Sequence, residues 1–486
     1  MDQYASVLLA FPDGKYSSNE EYHRAVRQHV QKVEKLGKEH GAALGSHAAQ
    51  LLEHVNPAVN SISYLTVLGI VVQRERAPQT NMTLLTWITR FLMTFDARQM
   101  RYAGSQFSGL LNLVGEGSLF PASVAVDLLA TAILRVDPTG SILTSHHFQL
   151  VRLALYTDNI EPALPVIEKE IVFFPGVKGS GEGRHPCDLQ LSPSEYITPE
   201  SDLTGKLKAS AVLQYDLLVA KCFIQRRAWQ QAFDALERVI TYPIKDQACS
   251  KIMTEAYNKW VLVGLLLNGK TPTLPVSVAS STRKVYSILG KPYFSLAEAF
   301  DLKTAEALNA EFASLGPQFW AEEGNLGLVT QVLIYYQRWM IVNLQKIYTK
   351  ISIDHVRRLT QSAETGKELG TEAEVLALLD DMISTGMLNG RVEPAVAGKP
   401  AHLVFLAPAE ELSEAEFATQ MLQTAERIKD LGPIVKATNE RLATTREYVR
   451  YMAREQKGGG KGIADFVGFN TQVEDEDLMT GIMTGH

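Results

Sequence analysis

The chain has little cysteine, no dominant charge and no long apolar run, and each shortage removes a class of protein. Its three cysteines, Cys187, Cys222 and Cys249, lie far apart and form no CxxC pair. That speaks against a disulfide framework and a zinc ribbon, and it fits a reducing intracellular compartment. Lys and Arg number 47 against 54 Asp and Glu, a net charge of −7. A balance so near neutral gives no affinity for nucleic acid or anionic membranes. The longest uncharged stretch, residues 55–73, is broken by Asn56, Pro57, Asn60, Ser61 and Ser63. Its apolar part is too short to span a bilayer. The first residues, MDQYASVLLAF, lack the basic lead of a secretory signal. A soluble protein is expected, with 486 residues for two or three domains.

Catalytic signatures are missing too. Gly264-Leu-Leu-Leu-Asn-Gly269-Lys270-Thr271 fits the phosphate-loop expression GxxxxGK[ST] letter for letter. That loop needs a strand before it, an open glycine-rich turn and a helix after it. Here the middle positions continue an apolar helical stretch, and Pro272 stands where the phosphate-binding helix would start. The segment reads as a buried helix with Gly269 as its C-cap. His40, His47 and His54 recur every seven residues, which separates them by about 10 Å along a helix. A zinc pair on a helix needs a spacing of three or four. His23 and His29 fall on different helix faces, and so do His146 and His147. There is no HExxH, no metalloisopeptidase HxH followed by Ser and Asp, and no GxSxG. Exposed helix histidines are expected, with no catalytic, cofactor-binding or metal-binding residue.

What is there is helix. Through residues 19–156 apolar side chains recur at three- and four-residue steps. Breaks fall at Pro57, Pro78, Gly104, Gly115, Gly117, Pro121 and Pro138. Leu84, Trp87, Ile88, Phe91, Leu92 and Phe95 share one face. Helices that cannot bury such faces alone stack as a solenoid. Residues 173–205, rich in Gly, Pro and Ser, read as a long irregular insert. Residues 209–226 and 228–240 then form a tetratricopeptide-like pair with Trp229, Phe233, Leu236 and Ile240 inward. More helices lead to a long one at 329–348.

Residues 344–406 have the order of a winged helix. Ser352 can cap a short helix carrying Ile353, Val356 and Leu359. Thr371 and Glu374 have capping-box spacing before a helix with Val375, Leu379, Met382 and Ile383 inward. Gly386 suits a left-handed cap. Two strands follow, one through Leu388 and Val392 and one at 402–406, with 394–400 as the wing tip. Residues 350–408 carry six Lys or Arg and eight Asp or Glu, and the second helix has four acidic residues and no basic one. A DNA-reading helix needs the opposite sign.

Beyond the wing, Ser413 and Glu416 start a further helix with Phe417, Met421 and Ile428 on one face, interrupted at Gly432 and Pro433. A second segment to about 455 carries Val435, Thr438, Leu442, Thr445, Val449 and Met452 as a seam that wants a helical partner. The partner is either this chain's own solenoid or another chain. The tail, with GGGKG and EDED, is expected to be disordered. The expected fold is all-α with a small β wing. Its parts are helical repeats at 1–172, the insert at 173–205, further helices at 206–342, the winged helix at 343–408, C-terminal helices at 409–456 and a tail at 457–486.

This arrangement resembles the PCI family, shared by the proteasome lid, the COP-nine signalosome and a translation-initiation factor. IYTKISIDHVRRLT and EAEVLALLDDMISTGMLNGRVEP carry the resemblance. KIMTEAYNKWVLVGLLLNGKTPTLP, RYAGSQFSGL, EPALPVIE and EEGNLGLVTQVL resemble its signalosome members. The resemblance implies a non-catalytic scaffold without cofactor or metal. Family members pair winged helix to winged helix through edge strands and gather their C-terminal helices into a bundle. The assembled signalosome removes Nedd from cullins, with zinc on another subunit. Partners would be other signalosome subunits, not nucleic acid or membrane, in cytoplasm and nucleus. Candidate partner contacts are Leu388, Arg391, Val392, Leu403 and Phe405 on the wing, and Val435, Leu442, Val449 and Met452 on the seam. The alternatives are a proteasome-lid PCI subunit and a nucleic-acid-binding PCI protein.

Overall fold

In a computed structural model the described residues are 2–14, 16–75, 77–175, 185–243, 249–302, 304–395, 400–406, 414–443 and 450. The chain divides into two compact units, residues 1–411 and 412–486.

The first unit is a stack of helices that ends in a winged helix. Its longer early helices are Asn19–Ser46, Ser61–Arg74, Met82–Thr94, Gly104–Gly115, Ala122–Val136 and Ser145–Tyr156. Then come Ala209–Gln225, Trp229–Ile240, Lys251–Asn268, Ser280–Leu289, Lys291–Asp301, Ala305–Glu322 and Leu326–Leu344. Their inner faces merge into one apolar core that runs from Leu8 to Tyr336. The starts are capped as polar residues before apolar runs should be. Ser18 accepts from the Glu21 amide, Asn81 from Leu84 and Ser250 from Met253.

The apparent phosphate loop is helix and packing. Lys251–Asn268 is one buried helix, and Gly269 closes it in the left-handed region at φ 62°. A Cβ at Gly264 would press on Pro272 and Phe233, and one at Gly269 would strike the Trp339 ring. Both glycines serve close approach of side chains to a helix.

The insert is less irregular than its composition suggests. Residues 176–184 lie outside the described residues, but 185–205 form an ordered strap on the N-terminal helices. Arg98 Nε donates to the Cys187 carbonyl at 2.6 Å, and its guanidinium lies 3.7 Å over the Tyr22 ring. Arg101 donates to the carbonyls of Pro186 and Asp188, both at 2.8 Å, and stacks 3.6 Å over Tyr196. Tyr196 is buried and donates to the Val136 carbonyl at 2.8 Å. A Cβ at Gly104 would collide with the Ser201 carbonyl, so that helix start must be glycine for the strap to seat. Two arginines that cover strap carbonyls replace the ladder hydrogen bonds that an irregular segment lacks.

The histidines also differ from expectation. His29, His146 and His147 are buried. His29 stacks on Phe11, centroids 5.4 Å apart. Its Nε2 meets Ser63 Oγ at 2.9 Å, and that hydroxyl donates to the Leu8 carbonyl. Ser63 has one proton, so Nε2 of His29 is the donor. His147 Nδ1 accepts from the Thr144 amide and lies 2.8 Å from the Thr144 hydroxyl, closing a capping box with an imidazole where Glu is usual. Burial lowers the pKa of His29 to about 4 and of His147 to about 3.

The described part of the second unit is a single helix, Glu414–Ala443. It runs through Gly432 and Pro433, where an interruption was expected. A proline costs a helix one amide donor and a local clash, which thirty residues of otherwise regular pattern outweigh. The GGGKG and EDED stretches lie outside the described residues.

Neutral buried histidines set a pH dependence. Their folded pKa values lie below the ordinary value of 6.5, so below that pH the unfolded chain takes up more protons. Stability is full above about 6.5 and falls as pH drops toward 4. Urea midpoints at pH 7 and pH 5 test this. The wild type should lose stability at pH 5, and His29→Gln should lose less.

Candidate interaction surface

Three short strands and two helices form the winged helix. They are β1 (Lys350–Ser352), β2 (Gly390–Glu393) and β3 (His402–Phe405), with helices Ile353–Leu359 and Glu372–Ser384. The strand order is β1-β3-β2, and both pairings are antiparallel. Ser352 caps the first helix through the His355 amide, and Thr371 caps the second through the Glu374 amide. Glu374 reaches back to the Gly370 amide at 2.9 Å, one residue before the position a capping box uses. Gly386 has φ 72°. It turns the chain after the second helix, as its spacing implied.

This part has a core of its own. Ile341, Leu344, Ile351, Ile353, Val356, Val375, Leu379, Met382, Leu388, Ala401, Leu403 and Phe405 bury one another. β1 was not expected, because three residues are too few to show a period. Its presence makes β3 the central strand.

That placement sorts the candidate contacts. Leu388, Leu403 and Phe405 face into the winged-helix core, so their side chains hold this chain together. Arg391 is exposed and Val392 half-buried on β2. Val435 is 55% exposed on the C-terminal helix. Leu442 lies on that helix, and Val449 and Met452 lie outside the described residues. The wing tip at 396–399 is outside them as well.

Register shows what β2 offers. The Leu406 amide donates to the Asn389 carbonyl at 3.0 Å, and Arg391 and Glu393 lie opposite Val404 and His402. By antiparallel alternation 391 and 393 are the bonded pairs, and the peptide groups of Gly390 and Val392 point outward. Among the described residues no strand pairs with that edge. Glu393, at the end of β2, pairs with two cations, Arg391 on the same strand and Lys350 on β1 across the sheet. Lys350 Nζ lies 2.5 Å and Arg391 3.1 Å from Glu393. Hydrogen bonding from Lys350 holds the Glu393 carboxyl below its usual pKa.

The second surface is the C-terminal helix. Because it is continuous, Met421, Ile428, Val435 and Leu442 recur every seven residues on one helix, the repeat of a coiled-coil seam. Phe417, Met421, Ile428 and Val435 are between 55% and 65% exposed. Among the described residues there is no group of three His, Cys, Asp or Glu placed to hold a metal, and no helix long and apolar enough to cross a membrane.

The family model described as the N-terminal helical repeats of COP9 signalosome complex subunit 3 matches residues 20–281. The chain belongs to this family. A subunit 3 from Neurospora crassa is 46% identical over 497 aligned residues, covering 99% of both chains. One from Emericella nidulans is 29% identical and covers 88% of this chain and 89% of its own. One from Arabidopsis thaliana is 22% identical, over 84% and 85%. The subunit-3 family match covers the helical repeats from residue 20 and the strap and stops at residue 281. The winged-helix segments that carried the PCI resemblance fall within the whole-chain similarity to the Neurospora crassa relative.

The core assignment of Leu403 has a consequence for stability. Leu403→Ala should cost about 2–5 kcal/mol, as a cavity in a small core does. Arg391→Ala should stay within about 0.5 kcal/mol, as for an exposed side chain. Chemical denaturation of both variants, followed by hydrogen exchange in 350–406, checks the contrast.

Proposed function

We propose that this chain is a non-catalytic scaffold subunit of the COP9 signalosome, in the place held by subunit 3 in its relatives. Its work is to join other subunits of the complex that removes Nedd from cullins and so regulates cullin-RING ubiquitin ligases. The observation that carries this reading is the exposed apolar seam on helix Glu414–Ala443. A soluble chain does not keep a row of apolar side chains in water unless a partner covers it. Helix-to-helix packing is what a seven-residue repeat fits.

The outer edge of β2 supports a second contact of another kind. Backbone pairing with a neighbour's strand gives affinity without demanding side-chain chemistry. The acidic second helix of the winged helix favours protein over nucleic acid as partner. Its Asp381 pairs with Arg338 of helix Leu326–Leu344, at 2.6 Å. The chain works without cofactor or metal, and in both cytoplasm and nucleus. The seam contacts are Val435, Leu442, Val449 and Met452, and the wing contacts are Arg391 and Val392.

Removing residues 413–486 tests the reading. The truncated chain should stay folded, with an unchanged thermal transition, yet enter the complex about a thousandfold less well, the loss expected when four seam residues each give up about 1–2 kcal/mol of burial. Native mass spectrometry of the complex purified from cells reads this. Full incorporation of the truncated chain would overturn the seam assignment.

A further inference from the structure

The winged helix and the helical repeats have separate cores, joined by helix Leu326–Leu344. Val329, Val332, Leu333 and Tyr336 belong to the first core, and Ile341 and Leu344 to the second. A single helix entering a small domain leaves that domain free to tilt about the helix end. Something else must set its angle.

The polar loop at 361–370 is placed to do so. It lies between the two helices of the winged helix, yet its Ala363 is fully buried in the core of the helical repeats. Asn309, on helix Ala305–Glu322, donates its side-chain amide to two successive carbonyls of the loop. The distances are 2.7 Å to Ala363 and 3.1 Å to Glu364. The loop is closed on itself. The Gly366 amide donates to the Ser362 carbonyl at 2.8 Å, and the Ser362 amide to Lys367 at 3.0 Å. Gly366 supplies the left-handed turn at φ 67°. Glu368 ties the far side to Arg357 of the first winged-helix helix at 3.5 Å. Just before the loop, buried Thr360 accepts from Gln337 Nε2 at 3.3 Å.

We propose that Asn309 and the loop at 361–370 form an orientation lock, which fixes the direction in which the winged helix presents β2 to a neighbour. Asn309 is a positioning residue, and its amide holds the loop by the carbonyl of the Ala363 plug and that of the next residue, Glu364. One methyl group in an apolar socket gives little affinity but a defined place, and a two-carbonyl clamp prevents it from rotating. The joining helix holds the winged helix at its end and through the Arg338–Asp381 pair, and the loop adds a third attachment, to helix Ala305–Glu322, which is what a fixed angle requires. The proposal rests on β2 being a docking edge.

The test uses the full chain with three variants, Asn309→Leu, Asn309→Asp and Val392→Pro. Asn309→Leu keeps the size and removes both donations, and Asn309→Asp sets a carboxylate against two carbonyls. Helical circular dichroism should be unchanged in each. Hydrogen exchange at 353–384 should rise about tenfold in both Asn309 variants, as a locally loosened element does. Co-assembly with the companion subunits should fall about tenfold in native mass spectrometry. If Asn309→Leu loses its helical signal, Asn309→Asp and its exchange decide. Unchanged exchange at 353–384 overturns the lock, whatever the assembly. Val392→Pro removes an outward amide of β2 and no bond within the chain. It should abolish edge pairing without altering exchange at 353–384. If Val392→Pro assembles normally, the docking-edge reading fails, while faster exchange in the Asn309 variants would still show the lock.

Discussion

The structure depends on one helix being buried twice. Leu326–Leu344 packs its first three turns into the helical repeats and its last turn into the winged helix. Each fully buried Leu, Val or Ile on it contributes roughly 1.5–3 kcal/mol. Its two tryptophan contacts show how closely it fits. Trp339 covers the Gly269 cap and donates to the Leu266 carbonyl at 3.1 Å. Tyr335 meets the Trp229 ring edge-on, centroids 6.1 Å apart. The residues that imitate a phosphate loop are the socket of this helix. Glycine at 269 is needed there because a tryptophan lies against it.

Polar groups inside the stack give specificity that apolar faces cannot. Apolar helices slide on one another at small cost, and buried polar pairs do not. Lys259 is buried in the helical stack, and its Nζ lies 2.5 Å from Asn325 Oδ1. Asn325 in turn donates to the Tyr293 hydroxyl at 2.6 Å. Burial lowers the Lys259 pKa, while Glu255 opposes that shift. This network joins helices Lys251–Asn268 and Lys291–Asp301 to the start of Leu326–Leu344. It fixes the register on which the shared helix, and so the winged helix, is built. Arg98 and Arg101 do the same at the other end, where they hold the strap at 185–205.

Most helices were legible because a period, a cap and a terminating glycine agree. Ser352, Thr371, Gly269 and Gly386 all take the roles that their spacing implied. What escaped has one physical cause, which is that it depends on partners remote in sequence. The strap has no period, and its order comes from arginines some 85 to 90 residues earlier. His29 looks polar, yet the Ser63 hydroxyl, 34 residues on, lets it enter the core neutral, while His147 does so through the nearby Thr144 hydroxyl. β1 is three residues long and is a strand only because β3 lies beside it. Leu403 and Phe405, read as candidate partner contacts, point from β3 into the winged-helix core. The helix at Glu414–Ala443 escaped for the opposite reason, because local breakers at Gly432 and Pro433 were weighed above a continuous pattern.

In the proposed assembly the two surfaces need each other on energetic grounds. β2 offers outward peptide groups at only Gly390 and Val392. Hydrogen bonds of that kind contribute about 0.5–1.5 kcal/mol each, far too little to hold a subunit. The seam is stronger. Phe417, Met421, Ile428 and Val435, more than half exposed now, would each contribute about 1–2 kcal/mol on burial. A helix bundle, however, says little about which neighbour sits beside which. Joining both surfaces on one chain turns the weak contact into an intramolecular event once the strong one forms. The edge strand then acts at an effective concentration that makes even a few hydrogen bonds decisive, provided that it points the right way. A winged helix with a fixed angle meets that condition, and a freely tilting one would spend most encounters misaligned.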